Sequence, residues 1–209
     1  FYKSRIKNVD LPSKLKRIEA SAFLDTNLTS ITIGSDVANL NSDVFSDCSN
    51  LKEINVSTEN PNYCSENGVL FSKDKTELIK YPIAKSDVSY NIPKTVTSIG
   101  SQAFAGCSGL SSITIPKNVT YLGDHAFLDC TSLSSVEWNP ITCNEQTATV
   151  FKESPINQFT FGNEVQRIPA YLCSGMSGLN EITIPNTVTT IGAYAFSNCS
   201  NITSVIVPN

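Results

Sequence analysis

The sequence predicts a repeat solenoid: a curved parallel β-sheet of about nine short strands, second short extended segments and 3₁₀-type turns on the other side, and one hairpin insertion. Three observations predict it. An apolar string returns with a period of 23, centred on Val9, Ile31, Ile54, Tyr90, Ile113, Val136, Phe159, Ile182 and Val205, with one step of 22 and one of 36. Most strings stop at a proline, as at Pro116 and Pro185. An Ala-Phe pair with a Cys three residues later follows at a fixed distance, as at Ala103, Phe104 and Cys107. A period of this size marks stacked coils.

Each element follows from its residue pattern. In Leu110, Ile113, Ile115 and Pro116 the second and third residues are two apart, so both face one side of a strand, and proline removes a donor and ends it. Leu179, Ile182, Ile184 and Pro185 repeat the string, as do Ile202, Val205, Val207 and Pro208. Val119 and Leu122, like Val188 and Ile191, form a second short extended segment, closed by Gly100, Gly123 or Gly192 where the backbone must bend sharply. Ala126, Phe127, Cys130 and Leu133, and Ala195, Phe196, Cys199 and Ile202, show the spacing by threes expected of a tight helical turn. Burying about eight apolar groups at roughly 1.5–3 kcal/mol each does not offset ordering a whole coil at about 1–2 kcal/mol per residue. Stability must come from neighbours.

The chain reads as one solenoid domain over 1–209, with a hairpin-bearing insertion over about 58–88 and divergent coils over about 137–176. In the divergent stretch Leu172 and Cys173 fill the Ala and Phe columns and Met176 the Cys column, which conserves core volume. Thr142 and Glu145 stand where Val and Ile are usual, Phe151 is displaced by one residue, and Trp138 falls in an inward column as a large core filler. Phe1 aligns with the Phe column of a coil whose beginning is missing, so a piece of a longer protein is expected.

Charged residues make up 16% of the chain and the net charge is −4, with no Lys/Arg cluster, which argues against a nucleic-acid partner. No apolar run approaches the roughly 20 residues that cross a bilayer as a helix. Of seven cysteines, Cys48, Cys107, Cys130 and Cys199 share one core column; an odd total without paired spacing opposes a disulfide framework, and CxxC spacing for zinc is absent. His125 is the only histidine and occupies a variable turn position held elsewhere by Gln102, Ser21 and Tyr194. Asp25, Asp47 and Asp129 share a column with Gly106 and Asn198, which reads as turn chemistry rather than a calcium ladder. No catalytic, cofactor or metal residue is expected. Five Asn-x-Ser/Thr sequons, at Asn27, Asn55, Asn118, Asn198 and Asn201, are about as many as this composition produces by chance.

The outward strand columns are small and polar, as in Ser112 and Thr114 or Ser135 and Glu137, and offer none of the aromatic anchors that dominate interfaces. The insertion is the better place for a partner contact. Asn67-Gly68 is a hairpin turn signal, and Tyr63, Phe71 and Tyr81 around it are the expected partner-binding residues of a projecting hairpin.

The strings IPKTVTSIGSQAFAGCSGLSSITIPKNVTYLGDHAFLDC and ITIPNTVTTIGAYAFSNCSNITSVIVP resemble the BspA-like, or Treponema-type, leucine-rich repeats over nearly the whole chain. NPNYCSENGVLFSKDKTELIKYP resembles the hairpin-bearing insertion common in that family. The resemblance implies a secreted or surface-anchored protein, of bacteria or of some parasitic protists, that binds a protein ligand such as host extracellular matrix or another cell. A monomer is expected. A non-binding spacer and a carbohydrate-binding module are the alternatives.

Overall fold

The computed structural model describes residues 1–41, 43–144 and 150–207. Glu145 and Pro208, placed in columns above, lie outside them. The chain forms a β-solenoid of about eight turns, and no helix occurs among the described residues. Ser112–Ile115 pairs in parallel with Ser89–Asn91 on one side and Ser135–Trp138 on the other, which in turn pairs with Gln158–Phe161. Ser30–Ile33 pairs with Glu53–Val56, and Glu181–Thr183 with Ser204–Ile206. Throughout, each residue faces the one 23 later, so Tyr90, Ile113, Val136 and Phe159 form one column. Eight of the nine expected strands are present. The segment around Val9 stays irregular, joined to the next rung by a backbone bond from Thr29 to the Lys7 carbonyl at 3.0 Å.

Two-residue parallel strands form the second column, such as Ser98–Ile99 with Tyr121–Leu122 and Arg167–Ile168 with Thr190–Ile191. The expected 3₁₀ turns are replaced by a different device. Ala103, Ala105 and Cys107 donate their N–H groups three residues back, to Gly100, Gln102 and Phe104, whereas the alternate residues Gln102, Phe104 and Gly106 donate to Asp124, Ala126 and Leu128 of the next rung. Left-handed backbone at Gln102 (φ 56) and Gly106 (φ 76) breaks any helical run and turns alternate N–H groups along the stack. Every backbone donor from Gln102 to Cys107 is thereby satisfied in a segment that is mostly inside. Asp25, Asp47, Asp129 and Asn198 all lie at φ between 55 and 57. That explains their column: Asp, Asn and Gly tolerate the left-handed region best.

The Cys column has a polar duty as well as an apolar one. The thiols of Cys48, Cys130 and Cys199 donate to the carbonyls of Phe23, Phe104 and Cys173 in the preceding rung at 3.0, 3.1 and 3.0 Å. Ser154 takes this position in the divergent rung and donates to the Phe127 carbonyl at 2.9 Å. Above these bonds run the stacked rings Tyr81, Phe104, Phe127 and Phe151, with centroids 5.1, 4.8 and 5.0 Å apart. Phe151 completes the stack despite its one-residue displacement. Trp138 is buried beside Phe159, as a core filler should be.

The insertion divides the interior. Tyr63–Glu66, Val69–Ser72 and Glu77–Lys80 form a sheet that continues in parallel into Ser98–Ile99. Along these strands alternate side chains enter different cores. Tyr63, Leu70 and Ile79 pack with Ile31, Phe45 and Ile54, whereas Cys64, Val69, Phe71 and Leu78 pack with Phe104, Ile113 and the rungs beyond. The segment is a wall between two clusters.

Candidate functional site

A wall has no free face, and this removes two of the three expected contact residues from the surface. Phe71 is 0% and Tyr81 1% exposed. Tyr81 takes the Phe column: its N–H donates to the Ala103 carbonyl at 2.8 Å, as Phe104 does one rung later, and its hydroxyl donates to Asp87 at 2.8 Å. Tyr63 is half-buried, its hydroxyl accepting from Leu40 N–H at 3.1 Å and donating to the Ala38 carbonyl at 3.3 Å. The hairpin therefore does not project. Gly68, at φ 77, lies so close to the outer strand that an added Cβ would stand 2.8 Å from Glu53 Cβ.

Phe1, Tyr2 and Tyr121 are exposed, and a further free aromatic surface is a stacked pair. Tyr171 and Tyr194 occupy the variable turn column in successive rungs, stacked with centroids 5.1 Å apart and planes 19° from parallel. They are 37% and 65% exposed. Both sit at φ 59, and Tyr171 N–H donates to the Ala193 carbonyl at 3.1 Å, so the rung ladder fixes their backbone. The left-handed backbone is shared with Ser21, Gln102 and His125 and does not single the tyrosines out. What does is the ring surface left in water. An aromatic pair returns about 0.5–1.5 kcal/mol beyond its buried area, and the polar residues elsewhere in the column show that the fold does not require a ring there. The signal was in the sequence: two tyrosines 23 residues apart, in a column otherwise polar.

The groups suited to catalysis are inert or scattered. Burial pushes the Cys107 and Cys143 thiols up to about 12 and also raises Cys130 and Cys173 well above the ordinary thiol value, so thiolate is disfavoured. His125 is half-buried in its turn, and no group of three His, Cys, Asp or Glu side chains converges among the described residues. Lys80 is the anomaly. It fills an Ala position of the wall, 1% exposed, with its ammonium donating to the Gln102 carbonyl at 2.8 Å, and desolvation lowers its pKa.

Six copies of the BspA-type leucine-rich repeat match residues 1–84 and 85–203. No curated protein matches in sequence. Among solved structures, the chain is similar to a leucine-rich cell surface protein of Faecalibacterium prausnitzii, with 28% identity and a TM-score of 0.76 over 95% of this chain and 52% of that one. The pneumococcal vaccine antigen PcpA is 27% identical, with a TM-score of 0.66 over 94% of this chain and 60% of its own. A Treponema pallidum leucine-rich repeat protein is 26% identical, with a TM-score of 0.51 over 65% of each chain. The chain thus spans little more than half the length of the first two. Among the described residues no helix is long and apolar enough to cross a membrane. The repeat geometry, the six matched copies and these neighbours agree: the chain belongs to the BspA-type leucine-rich repeat family of bacterial cell-surface proteins, a generally non-enzymatic group.

Proposed function

We propose that this protein is an extracellular binding module, a single solenoid unit over residues 1–209, that attaches a cell to host matrix or to another cell through protein ligands. The observation that carries this reading is the exposed Tyr171–Tyr194 stack. Tyrosine is among the residues that concentrate binding energy at interfaces. A pair held on two rungs of a rigid ladder loses little further freedom when a partner covers it, and rigidity of this kind favours affinity. The descriptions of the relatives as a cell surface protein and a vaccine antigen support a surface location, where a partner can be met.

The test replaces Tyr171 and Tyr194 by serine, the residue that the same column holds at Ser21. Binding to a panel of immobilised matrix proteins is measured for both forms. Capture of at least one of them, weakened at least about tenfold by the double substitution with the melting temperature unchanged, is the expected result. A protein that binds none of the panel overturns this reading, and equal binding by both forms removes the tyrosines from the site.

A further inference from the structure

A second surface lies on the rim of the main sheet, where the divergent rungs depart from the repeat. The stop column holds Pro93, Pro116 and Pro185 in regular rungs but Asn139 and Gly162 in the two between. A Cβ at Gly162 would collide with Asn139 Oδ1, so the missing side chain leaves room for that amide. The resulting groove has a volume of about 520 Å³ and runs from Asn91 to Glu164. This volume falls in the roughly 300–1,000 Å³ range of small-molecule sites. Four rungs at about 4.8 Å give it a length of roughly 14 Å.

Its chemistry is polar and balanced. Lys117 pairs with Glu164 at 3.0 Å, reaching over the rung that carries Pro140 in place of a third lysine. Glu137 accepts from Thr114 Oγ1 at 3.1 Å and from Asn139 Nδ2 at 3.0 Å. With Lys94 added, two cations face two anions, so a polyanion or polycation meets as much repulsion as attraction. The side chains of Asn91 and Asn163 make no hydrogen bond among the described residues. Each offers one acceptor and two donors to a ligand. Ile92 and Pro116 supply an apolar floor between them.

We propose that this groove binds a neutral carbohydrate chain laid across the rungs. Hydroxyls that donate and accept match planar amides and already oriented carboxylates, whereas ring C–H faces suit the apolar floor of Ile92 and Pro116. A peptide with large side chains finds no deep apolar pocket here. The site is separate from the tyrosine stack, and the two can be tested apart.

The experiment screens the whole chain against neutral and acidic oligosaccharides of bacterial and host type, followed by titration calorimetry. Retention of a neutral class is expected, with affinity changing less than about threefold between low and high salt. Asn91→Ala with Asn163→Ala should weaken it about tenfold or more, two hydrogen bonds being lost. Asn163→Trp, which fills the groove, should abolish it. Tyr171→Ser with Tyr194→Ser, away from the groove, should leave it within about threefold of the parent. The proposal is overturned if no neutral glycan is retained, if only acidic glycans bind and salt releases them, if only short peptides bind, or if both groove variants bind as the parent does while melting normally.

Discussion

Rungs 101–136 and the rung built from residues 63–84 solve one packing problem in two ways. The regular rungs repeat Ala, Phe and Cys in fixed columns, and the backbone ladder runs from one copy to the next. The inserted rung keeps the ladder, through Tyr81 N–H to the Ala103 carbonyl, but fills the columns with Lys80, Tyr81 and Ala84 and adds an antiparallel pair that walls off the N-terminal core. The backbone bonds are what this repeat conserves, and the side chains are negotiable so long as the column is filled.

If the wall is as integral as a regular rung, its buried Phe71 should matter as much as the ring stack does. Phe71→Ala and Phe104→Ala are each expected to cost about 3–5 kcal/mol in chemical denaturation, the range for emptying a buried Phe site. A loss below about 1 kcal/mol for Phe71→Ala alone would make the insertion an appendage after all.

The period and the proline stops made the stacked parallel strands legible, because inward positions two residues apart admit only one sheet face. The turns were not legible as built. Spacing by threes is common to a 3₁₀ turn and to a chain with a left-handed residue at every fourth position, and only the positive φ at Gln102 and Gly106 separates them. The insertion misled for a related reason. Asn67-Gly68 correctly marks a hairpin, yet a hairpin with apolar residues on both faces, Val69 and Phe71 on one and Leu70 on the other, has nowhere to go but between two cores. Tyr81 was legible as a Phe-column residue, since it stands 23 before Phe104. The rim groove had its own mark, the loss of proline at Asn139 and Gly162, but its depth depends on neighbours from four rungs.

Lys80 sharpens the comparison at the Ala column. In regular rungs this site holds Ala103 or Ala126, and here a buried ammonium has the Gln102 carbonyl as its hydrogen-bond partner. Burial lowers its pKa below the ordinary 10.5. Each unit of lowering corresponds to about 1.4 kcal/mol, so Lys80→Met should stabilise the protein at neutral pH by that amount per unit. The sign is set by linkage. Between the folded pKa and 10.5 the unfolded chain binds more protons than the folded one, so the penalty fades as pH rises. The advantage of the variant over the parent should be largest at neutral pH and close towards pH 10.5. The buried cysteines act the other way: for Cys107, held up to about 12, stability is full below 9.0 and lost as pH climbs towards 12. Comparing the two proteins at each pH cancels that loss, and a gap that stays constant would mean that Lys80 holds its proton in the folded protein as firmly as in the unfolded chain.

The smallest effect tests what the Cys column is for. If Cys130 is simply a small apolar filler, valine should replace it better than serine. If its thiol matters as a donor to the Phe104 carbonyl, the order reverses, because serine keeps the bond, as Ser154 does to Phe127 in the neighbouring rung, and valine abandons it. A net hydrogen bond is worth about 0.5–1.5 kcal/mol, so Cys130→Ser should melt above Cys130→Val by a margin of that size. The inserted rung is the control. It carries Ala84 in the same column, with no side-chain donor at all, and Ala84→Ser should change stability by less than about 0.5 kcal/mol, since no rung-to-rung bond is there to be kept or lost.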